Sequence, residues 1–256
     1  MKIFKGMGII AVVMFSFYYT ERIANFVLEK NNLYQEIESK KSIYEVESVA
    51  ATINDETMIP GLYGKSVNVK TSYYNMKSLQ TFNSYYLVYQ DTVPEVSMEH
   101  NKDKIIMQGN SGKNSVALVL EYDQKIIDYL KNYKFSVLVD MNTFHNTVSY
   151  EQINNEVNDF QKLESLINKY ASFNPNLCVL NGGNEKVCRA EKKYLIKPNK
   201  ELSDSTYLEL KDNIHSGDIV LIKKNTKLSN IEVVVKSILY KDYDLNYLSQ
   251  HISEEQ

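Results

Sequence analysis

The sequence predicts an α/β fold built on a parallel sheet covered on both faces. Three observations carry this prediction. The runs SVALVLE (115–121), FSVLVDM (135–141), NLCVLN (176–181) and DIVLIKK (218–224) are nearly continuous in apolar residues, as strands buried on both sides are. The segments between them repeat apolar residues at helical spacing. Glycine and proline are scarce, 9 and 4 in 256 residues, which argues against a many-turned all-β sandwich. Strands and helices alternating in this way close into a barrel or spread as an open sheet.

At the N-terminus, Lys2 and Lys5 precede an uncharged apolar stretch from Gly6 to Tyr19, followed by Thr20, Glu21 and Arg22. Ile3 and Phe4 bring the stretch to the lower limit of a membrane span. A cleavable signal peptide has a similar apolar length but ends in small residues, whereas this run ends in Phe17, Tyr18 and Tyr19. Tyrosines at one end and lysines at the other suit an uncleaved single-pass anchor under the positive-inside rule. The expected arrangement is a transmembrane helix over residues 1–20, with the bulk of the chain on the outer face of a cell membrane and lipid as its first partner.

Ile23, Phe26, Val27, Leu33 and Ile37 extend the helical pattern as a stalk over residues 21–45. Residues 46–108 read as a small α+β cap. VESVAATI is a weak strand, IPGLYGKSVNV a turn and a strand, and SYYNMKSLQTF a short helix with Tyr73, Met76, Leu79 and Phe82 on one side. Tyr63, Tyr73, Tyr74, Tyr85, Tyr86 and Tyr89 either cover a small core here or present flat faces to a glycan.

The α/β domain proper is expected over residues 109–256. After strand 115–121 comes a helix with Ile126, Ile127 and Leu130 inward, then strand 135–141. A long helix is predicted from Tyr150 to Tyr170, opened by a Ser149/Gln152 capping box, with Ile153, Val157, Phe160, Leu163 and Ile167 on one face. Strand 176–181, a short helix EKVCRAEK and a strand YLIKP follow. Then come a helix near 205–213, strand 218–224, a helix opened by Ser229 and Glu232, and a short strand at 244–248 leading into a polar tail.

An apolar fraction of 43% with 24% charged residues supplies a real core. The net charge of −3, with no Lys/Arg-rich run, leaves no electrostatic footprint for nucleic acid. GNSGKN (109–114) has the wrong spacing for a phosphate loop and reads as a turn. No G-x-S-x-G or H-E-x-x-H occurs. His145 stands alone after a strand, and Glu121 and Asp123 are strand-end acids. Cys178 and Cys188, ten positions apart, either form one disulfide in an oxidising compartment or remain two thiols; no third Cys or nearby His makes a zinc set.

Four stretches bear a family resemblance. SVALVLEYD resembles an apolar strand that ends in two aspartates, and IIDYLKNYKFSVLVDMNTF resembles the helix and strand that follow it. NIHSGDIVLIKK resembles a late strand ending in His-Asp, and VVVKSILYKDYDLNYLSQHI resembles a terminal helix and its tail. Together they resemble the NodB-homology domain of polysaccharide deacetylases, over a little more than half the chain. The resemblance implies an irregular, incomplete (β/α) barrel. It also implies a chemistry in which one Asp and two His hold a metal that activates water, with a second Asp as general base.

Carried across, the base falls on Glu121, the metal-binding Asp on Tyr122, and the late His on Lys223, while the paired histidines have no counterpart among His100, His145, His215 and His251. Tryptophan-containing motifs are absent with tryptophan itself. The resemblance therefore implies a pseudoenzyme without catalytic residues, metal or cofactor, which binds a cell-wall glycan or scaffolds an envelope protein. An active metal-dependent carbohydrate N-deacetylase with unusual site residues, and a purely structural envelope component, are the other readings.

Overall fold

The computed structural model describes residues 2–170 and 176–255, and describes side chains from Met14 onward apart from Phe17 and Glu21. Helix α1 (Lys2–Glu29) contains the predicted anchor. The anchor's side chains up to residue 13 lie outside the described residues, and among the described residues no helix is long and apolar enough to cross a membrane. The stalk is not one continuous helix. The chain turns at Lys30, and Asn31 caps a second helix, α2 (Asn32–Lys40), its side chain accepting from the Leu33 N–H. There follow β1 (Thr52–Asn54), β2 (Thr57–Ile59), β3 (Gly64–Val67), α3 (Val69–Met76), β4 (Tyr89–Thr92) and β5 (Ile105–Ile106).

The described chain falls into two compact units whose limits differ from the sequence divisions at 45 and 108. One joins the chain up to Glu47 with Gly64–Thr92; the other joins Ser48–Tyr63 with everything from Val93 onward. In the first unit, β3 and β4 pair antiparallel, and Leu33 and Ile37 of α2 meet Val69, Tyr73 and Met76 of α3 in a small core. Of the tyrosines expected to cover this core, Tyr73 does so, whereas Tyr74, Tyr85, Tyr86 and Tyr89 are exposed.

The second unit continues through β6 (Ser115–Glu121), α4 (Gln124–Leu130), β7 (Ser136–Val139), β8 (Glu151–Asn154), α5 (Phe160–Tyr170), β9 (Leu177–Val179), α6 (Glu185–Ala190), β10 (Tyr194–Ile196) and β11 (Lys200–Leu202). It ends with α7 (Tyr207–Asp212), β12 (Ile219–Ile222), α8 (Leu228–Tyr240), β13 (Asp244–Asn246) and α9 (Leu248–Ile252). A six-stranded parallel sheet runs β11-β12-β6-β7-β8, with β13 also paired to β6. A second sheet runs β1-β2-β5-β10-β9 and is parallel apart from the β1–β2 hairpin.

The strands pack around one apolar interior that includes Met58, Ile106, Ala117, Val119, Leu138, Val179, Ile219 and Ile252. The opposite faces, with Val116, Leu118, Leu120, Val137 and Val220, meet the helices in an outer core. This strand alternation between two apolar environments is the reason the runs read as continuously hydrophobic. The wall is divided between two sheets and is not a closed ladder.

Four sequence expectations are corrected. Residues 52–59 and 105–106 belong to the second sheet and not to a cap; their strands are too short to show a period. The helix predicted from Tyr150 starts only at Phe160, because residues 151–154 form β8, parallel to β7 and wholly buried. Ser149 is therefore no helix cap. Helix α8 begins at Leu228, and its entry is held by Asp204, whose carboxylate accepts from the Lys227 N–H at 2.9 Å, so Ser229 is not the cap. The polar tail is helix α9, with Leu248, His251 and Ile252 buried.

Helix α9 is tied in by polar groups. Ser136 Oγ bonds the Glu151 carboxylate and accepts from the Leu248 N–H at 2.9 Å. Glu254 accepts from the N–H groups of Gly61 and Met98, each at 2.9 Å. His251 Nδ1 lies 2.9 Å from Ser115 Oγ, and its Nε2 lies 3.0 Å from the Gly217 carbonyl, so the ring works as a neutral tautomer that accepts at one side and donates at the other. Gly109 must be glycine, since a Cβ there would stand 2.5 Å from His251 Nε2.

Burial pushes the His251 imidazole down to about 4. The unfolded chain takes up that proton near pH 6.5, so between the two values the unfolded state binds more protons, and stability falls as the pH falls. The contribution is complete above about pH 6.5 and disappears as the pH drops through about 4. We expect the thermal midpoint to fall between pH 7 and pH 4, and to fall less steeply in His251→Gln, which keeps a donor for Gly217. Equal slopes for the two proteins would contradict this role.

Candidate functional site

The parallel strands of the six-stranded sheet and β9 bring their C-terminal ends together, where barrel folds place their sites. Polar residues stand at these strand ends: Glu121 closes β6 and Tyr122 follows it, with Asp140 after β7, Asn155 after β8, Asn181 beyond β9, and Lys223 and Lys224 after β12. Most of them, with Thr143, line a cavity of about 250 Å³.

Glu121 continues the inward alternation of Ala117 and Val119. Its carboxylate is fully engaged: Lys223 Nζ donates to Oε1 at 2.9 Å and the Lys224 N–H donates to Oε2 at 3.1 Å. Lys223 also lies 3.7 Å from Glu201. Burial alone would raise the Glu121 carboxyl, but the hydrogen bonds from Lys224, Lys223 and Asn181 outweigh it and hold the group below the usual range. The same hydrogen bond from Lys223 raises the ammonium. Both groups are ionised at neutral pH, and each is the other's partner.

Tyr122 turns away from this pair. Its Oη donates to Gln124 Oε1 at 2.9 Å and lies 3.2 Å from His145 Nε2, while the two rings stack with centroids 6.2 Å apart. The other histidines are elsewhere: His100 bonds Ser97, His215 sits in the loop before β12, and His251 is buried against Ser115 at the opposite end of β6.

The donor set does not suit a catalytic metal. An open site takes about three ligands such as His and carboxylate. Here the mouth holds Tyr122, a phenol bonded to neighbouring side chains, and Lys223, whose charge is already spent on Glu121. Among the described residues no three His, Cys, Asp or Glu side chains converge.

Cys178 and Cys188 are joined in a disulfide with Cα atoms 6.0 Å apart, tying β9 to α6. Beside it the buried Asn184 donates to the Val179 carbonyl at 2.9 Å and accepts from the Asn181 N–H at 3.2 Å, which sets the loop that carries Asn181 into the mouth. Asn155, Asn181, Asp140 and Lys224 were not singled out by the sequence; for Asp140, Asn181 and Lys224 the one signal is a polar residue at the end of an apolar run, and Asn155 carried none.

The fold is similar to that of CE4-family proteins, and at its mouth Glu121 and Lys223 form an ion pair. The likeness is direct at the level of fold. Wild-type BA3943, a CE4 family pseudoenzyme from Bacillus anthracis, superposes with a TM-score of 0.58 and 18% identity over 89% of this chain and 97% of its own. A BA3943 mutant described as a CE4 family pseudoenzyme with restored enzymatic activity gives 0.59 and 19% over 88% and 99%. In sequence, the chain is 33% identical over 112 residues to YlxY, an uncharacterized protein of Bacillus subtilis (strain 168); the match takes in 41% of this chain. The chain thus spans only 35% of that curated relative's length. No family model matches the chain.

Lys223→Met would leave the Glu121 carboxylate with burial less opposed. We expect its pKa to rise, read by NMR titration of the Glu121 side chain. Stability should fall by about 1 kcal/mol, a modest figure because the pair is partly solvated. An unchanged titration would show that the ion pair does not set the state of Glu121.

Proposed function

We infer that the chain is a catalytically inactive deacetylase-like protein, held in the cell membrane by its N-terminal helix, with its bulk on the outer face, where it binds a cell-envelope glycan. The observation that carries the loss of catalysis is the Glu121–Lys223 pair. Hydrolysis of an N-acetyl group needs an activated water, and a bound metal achieves this by lowering the pKa of that water from 15.7 toward about 7. An ammonium supplies positive charge without the open coordination that does this. A carboxylate with both oxygens already accepting hydrogen bonds and a lowered pKa is a poor proton acceptor. The fold likeness to a CE4 pseudoenzyme supports the same reading.

Purified full-length protein should contain no stoichiometric zinc, cobalt or nickel by elemental analysis, and should release no acetate from acetylated glucosamine oligomers. Metal-dependent acetate release that vanishes in Glu121→Gln would replace this reading with an active deacetylase using unusual residues.

The membrane reading rests on Lys2 and Lys5 ahead of the uncharged run and on the apolar side chains that α1 leaves exposed, among them Phe15, Tyr18 and Tyr19. Protease added to intact protoplasts should remove the domain while the chain stays in the membrane fraction. A shortened form beginning after residue 19 and free in the medium would rule the anchor out.

A further inference from the structure

The connection between β7 and β8 departs from the rule that adjacent parallel strands are joined by a crossover element packed on the sheet's outer face. Residues 140–150 pass from the end of β7 to the start of β8 without a helix. Phe144 and Tyr150 close the outer core where that helix would pack. Between this loop and α4 there remains a cleft of about 670 Å³, walled by Gln124 and Asp128 on the helix, Lys131 at its C-terminal cap, and Phe144, His145 and Tyr150 on the loop. It is within the ~300–1,000 Å³ of small-ligand sites, whereas the mouth cavity is below it.

The loop is irregular but fixed at three points. Asp140 Oδ1 accepts from the N–H groups of Asn142 and Thr143 at 2.9 and 3.0 Å. Gln152, buried on β8, grips both backbone groups of His145: its Oε1 accepts from the N–H at 3.1 Å, and its Nε2 donates to the carbonyl at 2.8 Å. Tyr247 Oη donates to the Ser149 carbonyl at 3.0 Å. The buried Gln152 and the half-buried Asp140 and Tyr247, spent on this loop's backbone, set one wall of the cleft before any ligand arrives. The other wall is set as well, because Gln124 donates to Asp128 at 2.8 Å and accepts from Tyr122.

The lining selects the chemistry of the occupant. Phe144 and Tyr150 present apolar ring surface; Gln124, His145 and the neighbouring Asn146 and Ser149 present donors and acceptors. Asp128 and Lys131 cancel in charge. Burial pushes the Tyr150 phenol up to about 12, so that group is neutral too. A phosphate or nucleic-acid ligand would need surplus positive charge, and a lipid chain would need a dry wall. A pyranose has one face of C–H bonds and a rim of hydroxyls, which matches an aromatic surface bordered by amides and hydroxyls.

We propose that this outer-wall cleft, and not the barrel mouth, binds a short segment of a neutral pyranose polymer. The proposal rests on the reading that the chain binds glycan, and it relocates the site. The test is calorimetric titration of the full-length protein, in detergent, with tetramers of N-acetylglucosamine and of glucose. At least one tetramer should bind. His145→Ala and Gln124→Ala, both at exposed positions, should weaken that binding about tenfold or more while leaving the thermal midpoint in place, and Glu121→Gln at the mouth should change it by less than about twofold. Binding lost in Glu121→Gln but kept in both cleft variants would overturn the cleft and leave glycan binding standing. Failure of both tetramers to bind the unaltered protein would overturn both readings.

Discussion

The second unit depends on one strand, β6, being buried on both faces at once. Val116, Leu118 and Leu120 enter the outer core while Ala117 and Val119 enter the interior, all without measurable exposure. At roughly 1.5–3 kcal/mol for each large apolar side chain removed from water, no other register of this strand competes. β12, β7 and β13 all pair with it. Its position orders everything around it, including the two polar clusters at its ends.

Those clusters divide the labour of the strand. At Ser115 the chain terminus is locked down: His251 bridges Ser115 and Gly217, and Gly109 leaves room for the ring. At Glu121 the strand delivers a carboxylate to the mouth formed by the strands' C-terminal ends, and the end of β12 sets Lys223 against it. The pair satisfies two half-buried charges, with Lys224 and Glu201 as further partners.

The outer wall carries a second irregular feature. Where a crossover helix is missing, Phe144 and Tyr150 seal the core, and Gln152 and Tyr247 hold the replacement loop in place. The cleft this creates is larger than the mouth cavity. Tyr122 links the two places, since it lines the mouth cavity and bonds Gln124 and sits against His145 at the cleft.

Strands and helices that carry their own hydrophobic period were legible in the sequence. β6, β7, β12, α4 and α8 fall where their apolar runs and faces put them, because burial on two sides or on one stripe leaves a local imprint. Glu121, Tyr122 and Lys223 could be picked out by resemblance, and the Cys178–Cys188 pair by spacing. What the sequence could not reveal was decided by partners far along the chain. β8 looks helical by spacing, yet Gln152 and Asn154 are buried because the His145 backbone and Glu164 satisfy them, and Glu151 is buried with Ser136 bonded to one carboxylate oxygen while its Oε1 has no partner among the described residues. β1, β2 and β5 are too short to show a period and exist only by pairing within a sheet. The C-terminal helix reads as a polar tail until Ser136, Glu151, Ser115 and Gly217 supply its polar contacts. Hydrophobic periodicity is a local property and survives in the sequence; the satisfaction of buried polar groups is a property of three-dimensional neighbours, and only the folded chain brings those neighbours together.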